Sequence, residues 1–138
     1  MGESKKVRVL IIDDDKAVRL SQLRLLERAG YDVRAAPSAF EGLDMSRDWS
    51  PDLIMLDIAM PTVSGFDALK ILKTQPATRG ALIVAFSAFI TEDEVTRFRR
   101  IGFDDIVPKP TSADALLHRI AALIRGRQIG GSAPQAEG

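Results

Sequence analysis

Short apolar segments of β-strand character alternate with longer segments of helical character, and this alternation constrains the fold more than any other feature. The apolar segments are VRVLII at 7–12, the weaker YDVRAA at 31–36, DLIML at 52–56, ALIVAF at 81–86 and FDDIV at 103–107. Two of them, at 52–56 and 81–86, are almost free of polar residues, which is typical of strands covered on both faces. Strands that alternate with helices pair in parallel through right-handed crossovers. The sequence therefore predicts an α/β fold, a doubly wound five-stranded parallel sheet of the (βα)5 type.

Helix boundary signals agree with this alternation. Ser38 and Glu41 have the spacing of a capping box, and so do Thr91 and Glu94. The last helical segment, SADALLHRIAALIRG, ends at Gly126, a residue typical of a helix C-terminus. Few apolar residues follow, and Gly, Ala, Ser and Pro are frequent among them. We therefore expect one domain over residues 1–126 and a disordered tail or linker over 127–138.

Composition excludes several classes of protein. The chain has 138 residues, 46% of them hydrophobic, which suffices for one core. Its 19 basic residues balance 19 acidic ones, so no strong field attracts nucleic acid or an anionic membrane. The absence of cysteine excludes disulfides, thiolate zinc sites and cysteine nucleophiles. No signal peptide and no run of about 18 apolar residues is present. We expect a cytoplasmic protein without direct contact to nucleic acid or membrane.

Polar side chains follow four of the five predicted strands. The first strand ends in Asp13-Asp14-Asp15, and later strands end in Asp57, Ser87 and Lys109. Each residue alone has an ordinary explanation as a helix cap, a turn residue or a solvated charge. Ligands of open α/β sheets, however, bind beyond the carboxyl ends of the strands, where the strand order reverses. Together these groups describe a phosphoryl-transfer site with Mg²⁺-binding carboxylates, a carboxylate nucleophile, a hydroxyl and an ammonium.

The carboxylate triplet itself admits more than one assignment. Three adjacent like charges are unfavourable unless a cation or solvent offsets them. A helix N-cap needs only one of them. Strand alternation would direct Asp13 and Asp15 to the same side, so the residues alone do not decide which two act together.

Four motifs make the chain similar to the receiver domain of bacterial two-component response regulators. They are IIDDD, LIMLDIAMP, the Ser87-Ala88 pair after IVAF, and VPKP, and the resemblance extends over residues 7–125. It implies a flavodoxin-like strand order 2-1-3-4-5. It also implies a signalling domain that catalyses its own phosphorylation and dephosphorylation with Mg²⁺ as cofactor, rather than an enzyme with an external substrate.

The resemblance also implies roles for the acidic residues. Asp57 is the phospho-acceptor, and its donor is a sensor histidine kinase or a histidine phosphotransfer protein. Asp13 and Asp14 bind Mg²⁺ together with Asp57 and the main-chain carbonyl of Ala59. Asp15 is then left as the cap or first-turn acid of the first helix.

By the same resemblance, Lys109 pairs with the phosphoryl oxygens and Ser87 donates its hydroxyl to the new phosphoryl group. The movement of Ser87 changes the surface that a downstream protein target recognises. Ile106 stands where receivers commonly carry an aromatic switch residue, so core packing and an unusual output are both open. Homodimerisation through the fourth and fifth helices is a further option.

Two other functions compete with this interpretation. A haloacid dehalogenase-type phosphatase uses a DxD pattern that Asp13 and Asp15 satisfy, but its later acidic pair would have to be Asp104-Asp105, which precedes Lys109. That reading also leaves Asp57 without a role. The second competitor is a receiver-like scaffold that acts without phosphorylation.

Overall fold

Five strands and five helices alternate along the described part of the chain. The computed structural model describes residues 6–58, 65–88, 91–109 and 111–132, the last five for their backbone only. The strands are β1 (Arg8–Ile12), β2 (Asp32–Ala36), β3 (Leu53–Asp57), β4 (Leu82–Ser87) and β5 (Asp105–Pro108). The helices are α1 (Lys16–Arg28), α2 (Ala39–Ser46), α3 (Gly65–Thr74), α4 (Glu92–Ile101) and α5 (Ala113–Ser132).

The strands form one parallel sheet in the order β2-β1-β3-β4-β5, which confirms the predicted fold and strand order. The chain passes from β1 to β2 on one side and then crosses to β3 on the other. The strand order therefore reverses between β1 and β3. In such sheets the ligand crevice lies at the carboxyl ends of the two strands that flank this point.

Both faces of the sheet are covered, because successive side chains of each strand point to opposite faces. In β1, Val9 and Ile11 pack in a cluster with α1 and α5, whereas Leu10 and Ile12 pack in a cluster with α2, α3 and α4. Burial of each such side chain contributes about 1.5–3 kcal/mol. Ile106 is 3% exposed and belongs to the cluster of Leu10 and Ile12, so of the two alternatives for this residue the structure shows that it packs in the core.

A buried carboxylate anchors the start of β5. Asp105 accepts hydrogen bonds from Arg99 Nη2 of α4 at 2.9 Å and from Arg119 Nε and Nη2 of α5, both at 3.1 Å. It also accepts one from the backbone N–H of Ile106 at 2.9 Å. These bonds tie α4 and α5 to the strand whose other end leads to Lys109.

The helix starts follow the capping signals of the sequence. Asp15 is the N-cap of α1 and accepts from the backbone N–H of Val18 at 3.1 Å, which confirms its predicted role. A complete capping box joins Thr91 and Glu94 at the start of α4. At the start of α2, Ser38 accepts from the backbone N–H of Glu41 at 3.2 Å and donates its hydroxyl to the Glu41 carboxylate at 3.4 Å.

The prediction that the last helix ends at Gly126 was wrong. Helix α5 continues to Ser132, so residues 127–132 of the expected tail are helical, and residues 133–138 lie outside the described part. A single glycine inside a helix is destabilising by only about 1 kcal/mol, so Gly126 does not by itself end α5. Neither α5 nor any other helix of the described residues is long and apolar enough to span a lipid bilayer.

We expect Gly126→Ala to stabilise the protein by about 0.5–1 kcal/mol, because alanine favours the helix and nothing lies within 4 Å of the added Cβ. Urea unfolding measures this change through the fluorescence of Trp49, the single tryptophan, which is 5% exposed. The matched change Gly102→Ala should destabilise, since Gly102 has a φ of +128°. A destabilised Gly126→Ala variant would mean that the helix ends at Gly126.

Candidate functional site

Asp13 directly follows β1 and is only 2% exposed. Its backbone N–H donates to the carbonyl of Ala36 at 3.1 Å, which extends the pairing of β1 with β2 by one residue. Its Oδ1 atom accepts from the backbone N–H of Asp15 at 2.9 Å. The backbone thus turns immediately after Asp13, and this turn ends the strand alternation.

Asp57 is the last residue of β3 and is 7% exposed. It lies opposite Phe86 in the register with β4, and the backbone N–H of Ile58 donates to the Phe86 carbonyl at 3.2 Å. Strand β3 is paired with β1 on one side and with β4 on the other, so the strand that carries Asp57 lies between them. This places a nearly buried carboxylate at the point where the strand order reverses.

Three carboxylates meet at this point. One oxygen each of Asp13, Asp14 and Asp57 lie within 4.8 Å of one another, with Asp14 exposed and the other two buried. Clustered carboxylate oxygens with one side open to water suit a hard divalent cation such as Mg²⁺. The DxD partner Asp15 instead uses its carboxylate to cap α1. The geometry therefore supports the Asp13–Asp14 pair rather than the Asp13–Asp15 pair.

Lys109 bridges two of these carboxylates. Its Nζ atom lies 3.2 Å from Asp13 Oδ2 and 3.6 Å from Asp57 Oδ2. The lysine side chain is 26% exposed, whereas the two carboxylates are 3% and 8% exposed. The ammonium therefore offsets part of the charge of two buried carboxylates and stays accessible to a ligand entering from solvent.

Ser87 ends β4 and is 9% exposed. Its carbonyl accepts from the backbone N–H of Lys109 at 2.7 Å, and it directly follows the residue that is opposite Asp57 in the sheet register. The ends of β3, β4 and β5 therefore bring Asp57, Ser87 and Lys109 to one edge of the sheet. Ala59, whose main-chain carbonyl was predicted as a metal ligand, lies outside the described residues.

One contact at the site was missed by the sequence analysis. The Nη1 atom of Arg19, in the first turns of α1, donates to the main-chain carbonyl of Asp13 at 2.8 Å. A signal for it existed, because a cation near a helix N-terminus opposes the helix dipole and calls for a separate explanation.

A mostly apolar cleft between α1 and α5 borders the site. Among the residues that line it are Val18 and Leu25 of α1, Leu116 of α5, Phe86 of β4 and Lys109. The cleft therefore shares Lys109 with the acidic cluster.

Comparison with known proteins agrees with this geometry. The family model of the response regulator receiver domain matches residues 9–121. Response regulator MprA of Mycobacterium tuberculosis is 38% identical over 120 residues, which are 86% of this chain and 51% of that protein. MprA of Mycobacterium bovis is 35% identical over 119 residues, with the same coverage. The chain thus spans about half the length of the curated relatives it matches.

Solved structures show the same fold. A CheY-like response regulator receiver domain protein from Methanospirillum hungatei has a TM-score of 0.79 and 28% identity, covering 90% of this chain and 98% of that one. The chemotaxis protein CheY4 of Vibrio cholerae also has a TM-score of 0.79, with 24% identity and coverage of 86% and 98%. Together with the family match and the relatives, these likenesses establish that the chain belongs to the response regulator receiver domain family of two-component systems.

Proposed function

We propose that Asp57 accepts a phosphoryl group from a phosphohistidine in a Mg²⁺-dependent reaction and that the modified domain presents a changed surface to a downstream protein. The observation that carries this proposal is the position of the Lys109 ammonium between Asp13 Oδ2 and Asp57 Oδ2, at 3.2 Å and 3.6 Å. Phosphoryl transfer needs a positioned nucleophile and nearby positive charge, and this arrangement supports both.

The transfer is a substitution at phosphorus. A carboxylate oxygen of Asp57 attacks the phosphorus, the phosphorus–nitrogen bond of the phosphohistidine breaks, and its electron pair leaves with the imidazole, which takes up a proton. The product is an acyl phosphate on Asp57. The ammonium of Lys109 pairs with a phosphoryl oxygen, and the hydroxyl of Ser87 donates to another.

Asp13, Asp14 and Asp57 would hold Mg²⁺ through carboxylate oxygens, with the main-chain carbonyl of Ala59 as a further expected ligand. When bound, the ion supplies positive charge that neutralises phosphoryl oxygens. Asp14 is the exposed member of the three, so its carboxylate is open to an arriving ion. The two buried members are held by the sheet and by Lys109.

The donor in this proposal is a protein, either a sensor histidine kinase or a histidine phosphotransfer protein in the cytoplasm. The cleft between α1 and α5 supports a protein donor, because its apolar lining reaches from the helix surface to Lys109. Catalysis of the reverse hydrolysis, recognition of a downstream target and homodimerisation belong to the same proposal.

Incubation with acetyl phosphate and Mg²⁺, followed by intact mass measurement, tests the proposal. The wild type should gain one phosphoryl group, and Asp57→Asn should gain none, because the amide is a poor nucleophile. Chelation of Mg²⁺ should prevent the gain in the wild type. The variant Asp13→Asn should take up the phosphoryl group more slowly because it loses one metal-binding carboxylate.

The same experiment separates the competing functions. Turnover of acetyl phosphate that survives in Asp57→Asn but disappears in Asp13→Asn would indicate a phosphatase with Asp13 as nucleophile. Absence of any adduct or turnover in all three proteins would indicate a scaffold that acts without phosphorylation.

A further inference from the structure

Every polar atom of Asp13 is engaged. Its N–H donates to the Ala36 carbonyl, Oδ1 accepts from the N–H of Asp15, and Oδ2 accepts from Lys109 Nζ. The fourth atom, the main-chain carbonyl oxygen, accepts from Arg19 Nη1 at 2.8 Å. Three of these partners come from the sheet edge and the turn after β1. Arg19 is the one partner supplied by a side chain of α1.

The helix geometry explains how Arg19 reaches back by six residues. Side chains of an α-helix lean toward its N-terminus, and Arg19 is the fourth residue of α1. Its side chain is half-buried, which is consistent with a guanidinium held against the protein. The carbonyl of Asp13 lies just before the Asp15 cap, within reach of this leaning side chain.

Helix stability does not account for an arginine at this position. Lys16 and Arg19 place cations near the positive end of the helix dipole, and the first turn of α1 holds no acidic residue. Each such charge opposes the dipole by about 0.3–1 kcal/mol. The bond to the Asp13 carbonyl therefore provides a favourable interaction for Arg19 that the helix itself lacks.

We infer that Arg19 is a positioning residue for the metal-binding carboxylates. The carbonyl it binds belongs to the peptide unit between Asp13 and Asp14, and that unit sets the direction in which the exposed Asp14 side chain leaves the backbone. Arg19 thus holds Asp14 in line with the buried oxygens of Asp13 and Asp57. This inference rests on the proposed function, because it concerns the ion that phosphorylation of Asp57 requires.

Two effects of Arg19 on a divalent ion have opposite signs. Its charge repels the ion, so removal of the charge alone would tighten binding. Its bond orders the peptide unit before Asp14, so loss of the bond would weaken binding, as loss of outer ligand contacts does in other metal sites. The sign of the change in metal affinity therefore separates positioning from simple electrostatics.

Titration with Mn²⁺ alone, monitored by the electron paramagnetic resonance of the free ion, tests the inference. We expect Arg19→Gln to raise the Mn²⁺ dissociation constant about tenfold. Arg19→Lys should retain part of the wild-type affinity for Mn²⁺, because lysine keeps a donor that can approach the Asp13 carbonyl. The control Arg24→Gln, on an exposed residue of the same helix, should bind Mn²⁺ like the wild type.

A second readout follows phosphoryl uptake from acetyl phosphate as Mg²⁺ is varied. Arg19→Gln should take up the phosphoryl group slowly at low Mg²⁺ and at nearly the wild-type rate at saturating Mg²⁺, because the substitution weakens metal binding. An unchanged Mn²⁺ dissociation constant, or a lower one, in Arg19→Gln overturns the inference. Failure of the proposed function is seen separately, as absence of phosphoryl uptake by the wild type, since Mn²⁺ binding is measured without any phosphodonor.

Discussion

Replacement of Lys109 by methionine is expected to slow phosphoryl uptake by Asp57 at least about 100-fold, as does removal of a preorganised charge-stabilising donor elsewhere. Methionine keeps the length and much of the volume of the side chain but has no ammonium. The variant would therefore have no positive charge at the place of Lys109 Nζ, which lies 3.2 Å from Asp13 Oδ2 and 3.6 Å from Asp57 Oδ2 in the wild type. The rate is measured by intact mass over time with acetyl phosphate at saturating Mg²⁺.

Although Lys109→Met should slow phosphoryl uptake, it should strengthen the binding of Mg²⁺. Lys109 and a divalent cation are attracted by the same carboxylates and repel each other, so Lys109→Met should bind Mg²⁺ about tenfold more tightly, equivalent to about 1.4 kcal/mol. Without Mg²⁺, the same variant should be destabilised by about 3 kcal/mol, because the ammonium that offsets part of the charge of two buried carboxylates is lost. Urea unfolding followed by Trp49 fluorescence, with and without Mg²⁺, measures both effects.

Lys70→Met is the matched control, since Lys70 is exposed on α3. It should change neither the rate of phosphoryl uptake nor the affinity for Mg²⁺. A Lys109→Met variant that is phosphorylated at the wild-type rate would contradict the role assigned to the ammonium. Weaker Mg²⁺ binding in that variant would contradict the competition between lysine and metal.

The second large effect is expected for Gly65→Ala. A Cβ at this buried first residue of α3 would lie 2.4 Å from Cβ, 2.5 Å from Cγ2 and 2.7 Å from Cα of Ile58. Overpacking of this kind destabilises proteins by about 1–3 kcal/mol. Because a backbone atom of Ile58 is among the three, relief requires movement of the main chain next to Asp57. We therefore also expect phosphoryl uptake to slow by about 10–100-fold, since small displacements of a nucleophile strongly reduce its rate.

Two further variants make this prediction specific. Gly80→Ala, at a glycine with nothing within 4 Å of the added Cβ, should have little effect on stability or phosphorylation. The double variant Gly65→Ala with Ile58→Ala should not regain the stability or the phosphorylation rate of the wild type. Alanine at position 58 removes Cγ2 but keeps Cα and Cβ, which are the other two clashing atoms. Wild-type stability in Gly65→Ala would mean that α3 can move away from Ile58 without disturbing Asp57.

Most of the fold was predictable because its signals are local. The alternation of apolar runs and helical segments identified all five strands, and β3 differs from the predicted segment by one residue at each end. The start of β5 was predicted too early, at 103. Asp104 already pairs with β4 there, through its N–H to the Ile83 carbonyl and its carboxylate to the Ile83 N–H, both at 2.8 Å, before regular strand geometry begins.

The predicted end of the last helix was wrong because a local sequence signal was stronger than the small free-energy cost behind it. Gly126 resembles the residue after a helix C-terminus, yet α5 continues past it, since a glycine at a single helical position is destabilising by only about 1 kcal/mol. The carboxylate triplet was not an error, because the resemblance implied the Asp13–Asp14 pair, although strand alternation alone would have favoured Asp13 with Asp15. The Asp15 side chain instead caps α1, and Asp14 joins Asp13 and Asp57.

Local sequence patterns were sufficient to predict which side chains stand at the strand ends, because the period of an apolar run and the residue that follows it are local properties. Which of these side chains meet depends on the tertiary structure. Lys109 and Asp13 are 96 residues apart, and their contact depends on strand order and register, which arise from packing across the whole sheet. The basic residue near the start of α1 was a sequence signal for the contact of Arg19, but its acceptor could be identified only from the tertiary structure, because every residue has a main-chain carbonyl.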